Sequence, residues 1–120
     1  MNRNLPEELR RLLPLTPVVF YVLLALADGE KHGYAIMQET SVLSDGKFRM
    51  GPGTLYTTLQ RLLDLGLIAE VDRSRNPEDS RRRYYRLMGN GKLLLEAELA
   101  RMESAVRSAR RRKLLPGTAE

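Results

Sequence analysis

Apolar residues recur along this chain in blocks of two different periods, and proline, glycine and aspartate punctuate them. The first block is short: Leu9, Leu12 and Leu13 share one face of an amphipathic segment over 5–13. Pro6 there fits a first helical turn and Pro14 ends it. Thr16-Pro17 then places an N-cap oxygen before a residue of pre-set φ, a strong helix start. The helix it opens carries Val18, Val19, Phe20, Val22, Leu23, Leu24 and Leu26, apolar nearly all round, which predicts a buried central helix closed by Asp28-Gly29. A second helix is predicted from about His32 to Leu43, and "KFRM" (47–50) reads as a very short strand.

Gly-Pro-Gly at 51–53 opens a third helix. At about 100° per residue, Leu55, Leu59, Leu62, Leu63 and Tyr56 fall in an arc of roughly 120°, a core-facing stripe. Gln60, Asp64, Thr57, Arg61, Thr54 and Thr58 fill the opposite arc. After Gly66, "LIAEV" (67–71) alternates as a half-buried strand, "DRSRNPEDSR" is turn-rich, and "RRYYRLM" (82–88) returns as the second strand of a hairpin. One of Tyr84 and Tyr85 should face the core and the other the base of the hairpin. Gly89-Asn90-Gly91 breaks the chain, and a final helix is predicted from Lys92 to about Arg112. Within it Leu95, Leu99, Met102, Val106 and Ala109 are spaced four, three, four and three apart, the repeat of a helix-pairing seam. The order of elements predicts a mainly α fold with a small β-hairpin: a winged helix-turn-helix domain plus a long C-terminal dimerisation helix. The expected organisation is an N-terminal amphipathic helix (1–14), the winged domain (15–88), the dimerisation helix (89–113) and a flexible tail (114–120).

Composition sharpens the functional side. With 120 residues and 42% hydrophobic content the chain can build one modest core. It has no cysteine, no apolar run of membrane-spanning length and no signal-peptide pattern at its start, so a soluble cytoplasmic protein without a membrane partner is expected. Twenty basic residues stand against fifteen acidic ones, and sixteen of the twenty are arginine. They cluster in "RSRNPEDSRRR" (73–83) and "RSARRRK" (107–113). Arginine offers a fixed fork of donors that suits phosphate and guanine edges, which makes nucleic acid the leading partner class.

The polar face of the third helix fits that partner. A solvated face would favour Glu, Lys and Gln, whereas Thr54, Thr57, Thr58 and Arg61 supply hydroxyls and a guanidinium able to contact phosphates and base edges. The glycines of Gly-Pro-Gly either leave the backbone free to approach a phosphate or simply make a tight turn. Arg73, Arg75, Arg81 and Arg82 lie on the hairpin, whose tip also holds Glu78 and Asp79, acids that repel phosphate. His32, the one histidine, has no companion for a metal or a catalytic group and reads as a cap or packing residue. Neither an enzyme nor a cofactor is expected, and with 6% aromatic residues RNA is a weak alternative to double-stranded DNA. A winged helix that binds a protein partner and ignores DNA is the alternative reading.

"LTPVVFYVLLALADGEKHGYAIMQE", "MGPGTLYTTLQRLLDLGLIAEV" and "DSRRRYYRLMGNGKLLLEAELARM" together resemble the PadR family of bacterial transcriptional regulators, over roughly residues 15–112. The resemblance implies a winged helix-turn-helix, a homodimer and repression by binding operator DNA, with one C-terminal helix per subunit as in the family's short-chain members. It places Thr54, Tyr56 and Thr57 in the recognition-helix motif, Tyr34 in a His-Gly-Tyr motif near the DNA backbone, and Arg81 and Arg82 on the returning side of the wing. It also implies that some members release DNA on binding a small hydrophobic or aromatic effector; a cleft between paired final helices, lined by Leu99, Met102 and the N-terminal leucines, is one reading of that region and a plain packed interface the other. Leu9, Leu12 and Leu13 are expected to lie against the partner's final helix, joining the seam of Leu95, Leu99, Met102, Val106 and Ala109. Two recognition helices in a symmetric dimer meet successive major grooves about 34–36 Å apart, so a near-palindromic operator is expected.

Overall fold

The computed structural model describes residues 5–73 and 82–117. The N-terminal segment forms only one helical turn, α1 (Glu7–Arg10), after which the chain enters α2 (Pro17–Ala25). Thr16 acts as its position predicts: its Oγ1 accepts the Val19 N–H at 3.3 Å and caps α2. β1 (Lys31–His32), α3 (Gly33–Leu43), α4 (Pro52–Asp64), β2 (Ile68–Val71), β3 (Tyr84–Leu87) and α5 (Gly89–Arg111) follow. The sheet is antiparallel throughout, in the order β1-β3-β2, with Lys31 opposite Tyr85, His32 opposite Tyr84 and Glu70 also opposite Tyr85.

The edge strand is therefore not the predicted one. Residues 47–50 stay irregular because the Ser44 hydroxyl satisfies the Phe48 backbone: it accepts the Phe48 N–H at 2.9 Å and donates to the Phe48 carbonyl at 3.1 Å. The Phe48 ring meanwhile stacks on Tyr21, with centroids 5.6 Å apart. With no alternation to announce it, the two-residue Lys31–His32 strand takes the open side of β3.

The core gathers α2, α4, the sheet and the first half of α5. Val22, Leu23, Leu55, Leu59, Leu62, Leu67, Tyr85 and Leu94 are all buried in it. α2 buries Val19, Val22, Leu23 and Ala25, as its apolar circumference predicts. α5 docks through Gly91, where a Cβ would strike the Leu67 carbonyl and stand 2.8 Å from Leu87 Cδ1. That same carbonyl accepts the Met88 N–H at 3.0 Å.

Two members of the predicted dimer seam belong to this core instead. Leu9 and Leu95 are 3% and 4% exposed within their own chain, which leaves them no surface for a partner. Leu12 and Leu13 are half-buried against the same core. Beyond Glu98, every side chain of α5 is exposed or half-buried, among them Leu99, Met102, Val106 and Ala109. Among the described residues no helix is long and apolar enough to cross a membrane.

Candidate nucleic-acid interface

α4 separates its two faces as the wheel predicts. Leu55, Leu59 and Leu62 seat it on the core, while Thr54, Thr57, Gln60 and Arg61 are exposed and Thr58 is half-buried. Gln60 donates to Asp64 Oδ1 at 3.0 Å, so those two polar groups answer each other along the helix. Arg61 stands a turn beyond Thr57, at the rim of a groove lined by Leu12, Leu15, Thr16, Val19, Leu62 and Leu65. The N-cap is Gly51, which brings no side-chain acceptor to the first-turn amides. Its φ of −83° is one any residue adopts, and Cβ atoms at Gly51 or Gly53 would meet nothing within 4 Å. Neither glycine is needed for the turn or the packing of this chain.

Tyr56 sits at the border between the faces, 45% exposed, with its ring laid against Gly33 in the first turn of α3. It is not part of the core stripe. Beside it, His32, Gly33, Tyr34, Arg82 and Arg83 complete an open depression of about 430 Å³. Three separate sequence segments meet there. His32 Nδ1 accepts the Ala35 N–H at 3.2 Å and caps α3, so the ring proton resides on Nε2. Arg82 Nη1 reaches that Nε2 only at 3.5 Å, a contact between two donors. The imidazole also meets Tyr84 edge-on at 5.3 Å, so the one histidine is a capping and packing residue, as expected. Tyr34 is 61% exposed at the mouth of the depression.

The wing arginines differ sharply in what they touch. Arg83 grips Glu70 across the strands by two hydrogen bonds of 3.0 and 2.7 Å. That hydrogen bonding holds the Glu70 carboxyl below the usual carboxylate range and raises the Arg83 guanidinium. Arg73, predicted as a DNA contact, is engaged internally: Nε donates to Glu30 Oε1 at 2.9 Å, and the guanidinium lies 3.9 Å over the Tyr84 ring. It pins the end of β2 to the turn before β1. Both tyrosines of the pair are buried, Tyr85 in the core and Tyr84 between His32 and Arg73. Arg82 remains exposed at the depression. Arg75 and Arg81, with the acids Glu78 and Asp79, lie outside the described residues.

The phenols of Tyr34 and Tyr56, the start of α3 and the guanidiniums of Arg82 and Arg83 thus share one depression, and among the described residues no acidic side chain lines it. Such a set donates hydrogen bonds to anionic oxygens. Among the described residues no group of three or more His, Cys, Asp or Glu could hold a metal.

Residues 22–97 match the Transcriptional regulator PadR-like family. The chain belongs to that family. A PadR-like chain is a transcriptional regulator rather than an enzyme. The chain is 37% identical over 90 residues to transcriptional regulator Rv3488 of Mycobacterium tuberculosis, covering 75% of this chain and 79% of that one. It is 40% identical over 88 residues to an uncharacterized 37.1 kDa protein in transposon TN4556 of Streptomyces fradiae; the match spans 71% of this chain but only 24% of the longer relative.

Solved structures share the PadR-like fold at low identity. A PadR family transcription regulator from hypervirulent Clostridium difficile R20291 superimposes with a TM-score of 0.67 at 23% identity, covering 80% of this chain and 97% of that one. Bacillus subtilis PadR in complex with operator DNA gives 0.62 at 23% identity, over 72% of this chain and 47% of that one. Bordetella bronchiseptica BpsR, whose DNA binding is regulated by 6-hydroxynicotinic acid, gives 0.61 at 24% identity, over 87% and 67%.

Two features of the structure are not displayed by local sequence spacing. The Gly33–Tyr56 approach joins residues 23 positions apart, and only the two motifs' co-occurrence hinted at it. Glu98 is a buried acid on the apolar face of α5, one helical turn after Leu94 and Leu95 and three residues before Arg101. Its position among apolar neighbours was the available clue.

Proposed function

We propose that this PadR-like regulator is a cytoplasmic repressor that binds a near-palindromic operator as a homodimer. The exposed face of Thr54, Thr57 and Arg61 carries the reading, with Thr58 at its edge: it places hydroxyls and a guanidinium toward solvent on a helix otherwise held by leucines. Tyr34, Tyr56 and Arg82 line the neighbouring depression and are assigned to the phosphate backbone. Glycines at 51 and 53 have no internal cause in this chain, and the close approach of a phosphate to the helix start supplies an external one. Bacillus subtilis PadR, solved in complex with operator DNA, supports DNA as the partner.

The second half of α5 supplies the dimer contact. Leu99, Met102, Val106 and Ala109 continue a 3.5-residue stripe past the point where the chain's own core ends, and a second copy covers it. Leu12 and Leu13 join it at their exposed edges. A small hydrophobic or aromatic effector acting between the paired helices is consistent with BpsR, whose DNA binding responds to an aromatic acid.

Replacing Thr54, Thr57 and Arg61 together by alanine tests the reading. Specific operator affinity, measured by fluorescence anisotropy, should fall by at least about a hundredfold while the circular dichroism spectrum and dimer mass stay unchanged. Undiminished operator affinity overturns it, and absence of any salt-sensitive duplex binding by the wild type points to a protein-binding winged helix instead.

A further inference from the structure

Glu98 touches neither the DNA face nor the exposed stripe of α5. It is 1% exposed. Its Oε1 accepts Arg101 Nε at 2.7 Å, and its Oε2 accepts both Arg101 Nη2 and the Leu15 backbone N–H at 3.1 Å. Leu15 is the residue immediately before Thr16, the N-cap of α2. Leu15 also lines a groove together with Arg61 and Leu62 of α4 and its C-cap Leu65. One carboxylate therefore ties the helix that leaves the domain to the short segment packed beside the reading helix.

Stability alone is a poor reason for this arrangement. An apolar side chain of similar volume often serves as well as a buried ion or better. A charge-assisted, two-pronged contact instead selects one geometry. Arg101 donates to both carboxylate oxygens and the Leu15 N–H donates to Oε2, so the carboxylate joins α5 to the entrance of α2.

We propose that Glu98 is a positioning residue that fixes the angle between α5 and the reading helix, and so fixes the half-site spacing a dimer accepts. The proposal rests on the dimeric DNA-binding reading above. In a dimer joined through α5, the attitude of each reading helix to α5 sets the distance and phase between the two major-groove contacts. One added base pair moves a half-site by about 3.4 Å and rotates it by about 35°. A rigid joint refuses that displacement and a compliant one follows it.

Selection of random duplexes with the full-length protein, followed by affinity measurements on spacer variants, decides the matter. The wild type should recover paired half-sites with one dominant spacer and lose about tenfold or more in affinity when a base pair is added or removed. Glu98→Met replaces the ion with an apolar chain of similar length. It should keep the dimer and the half-site sequence while the penalty for a changed spacer shrinks to about threefold or less. A merely structural role would lower affinity for every spacer alike. Glu98→Leu serves if Glu98→Met does not fold: it too removes the acceptor of the Leu15 N–H, whereas loss of Arg101, which lies on α5 itself, leaves that link in place. An unchanged spacer preference in a folded Glu98→Met or Glu98→Leu protein overturns the proposal. Recovery of no paired operator by the wild type overturns the dimeric DNA-binding reading itself.

Discussion

The phenol ring of Tyr56 lies across the backbone of Gly33, so close that a Cβ on Gly33 would collide with the hydroxyl and stand 2.9 Å from Cζ. The contact joins the first turn of α3 to the first turns of α4 and holds both phenol and helix ends around one depression. Tyr56 is neither a core residue nor a free surface side chain. The missing side chain at position 33 is what allows the ring to lie there.

Gly33→Ala should therefore cost only about 1 kcal/mol, the low end of overpacking because the half-exposed Tyr56 phenol is a side-chain end that can shift, and weaken operator binding by displacing it. Tyr56→Ala removes the obstacle, so the double variant should be less destabilised than the two single variants added together. Urea denaturation of all four proteins gives the coupling energy, expected between about 0.5 and 1 kcal/mol. Simple additivity would mean that the ring moves aside at no cost.

Gly91→Ala should be costlier. The atom a methyl would meet is the Leu67 backbone carbonyl, already held by the Met88 N–H, so it has little freedom to retreat. A loss of about 3 kcal/mol is expected in denaturant unfolding. A stable Gly91→Ala protein would show that α5 shifts along β2 more readily than its contacts suggest.

Much of this was legible beforehand, and the exceptions have a common cause. The Thr16 cap, the Gly51-Pro52 helix start, the leucine stripe of α4 and the apolar α2 follow from local spacing, and local spacing is what a sequence displays directly. The Lys31–His32 strand was hidden because two residues cannot show a period, and its partner β3 lies more than fifty residues away. Arg73 looked like a DNA contact from charge alone, but Glu30 and Tyr84 meet it only in three dimensions. Leu9 and Leu95 fit the dimer seam by spacing, yet the core reaches them first. Local spacing displays the caps and stripes, whereas these pairings depend on residues far apart in the chain.

The two wing arginines should behave differently under salt. If Arg82 contacts a phosphate, Arg82→Ala should flatten the slope of log affinity against log salt by about one unit per bound subunit and leave unfolding almost unchanged. Arg73→Ala should leave the slope as it is and cost about 0.5–1 kcal/mol of stability, since it loses a half-exposed ion pair and a cation–π contact. Equal slopes for wild type and Arg82→Ala would remove Arg82 from the phosphate contacts.

Leu95 and Leu99 lie four residues apart on α5 but should fail in different ways. Leu95 is buried within its own chain, so Leu95→Asp should unfold the protein. Leu99 is 39% exposed, so Leu99→Asp should leave a folded domain and dissociate the dimer. Sedimentation equilibrium beside circular dichroism separates the outcomes. A Leu99→Asp protein that remains dimeric would place the interface elsewhere.

Acid should release the Glu98 contact in a definite direction. The Arg101 hydrogen bond, aided by the Leu15 N–H and opposed by burial, holds the Glu98 carboxyl below its ordinary value of 4.5. The unfolded chain therefore binds a proton more readily than the folded one over the interval between the two values, and stability rises with pH there. The contribution of Glu98 is complete above the ordinary value and is lost as pH falls through the depressed one. Asp28 and Glu70, held low by Lys31 and Arg83, follow the same course but are common to wild type and variant. The stability difference between wild type and Glu98→Gln should thus be constant from pH 7 to about 5 and shrink steadily below that. A difference that stays constant down to pH 3 would show that Glu98 is not held as an ion in the folded protein.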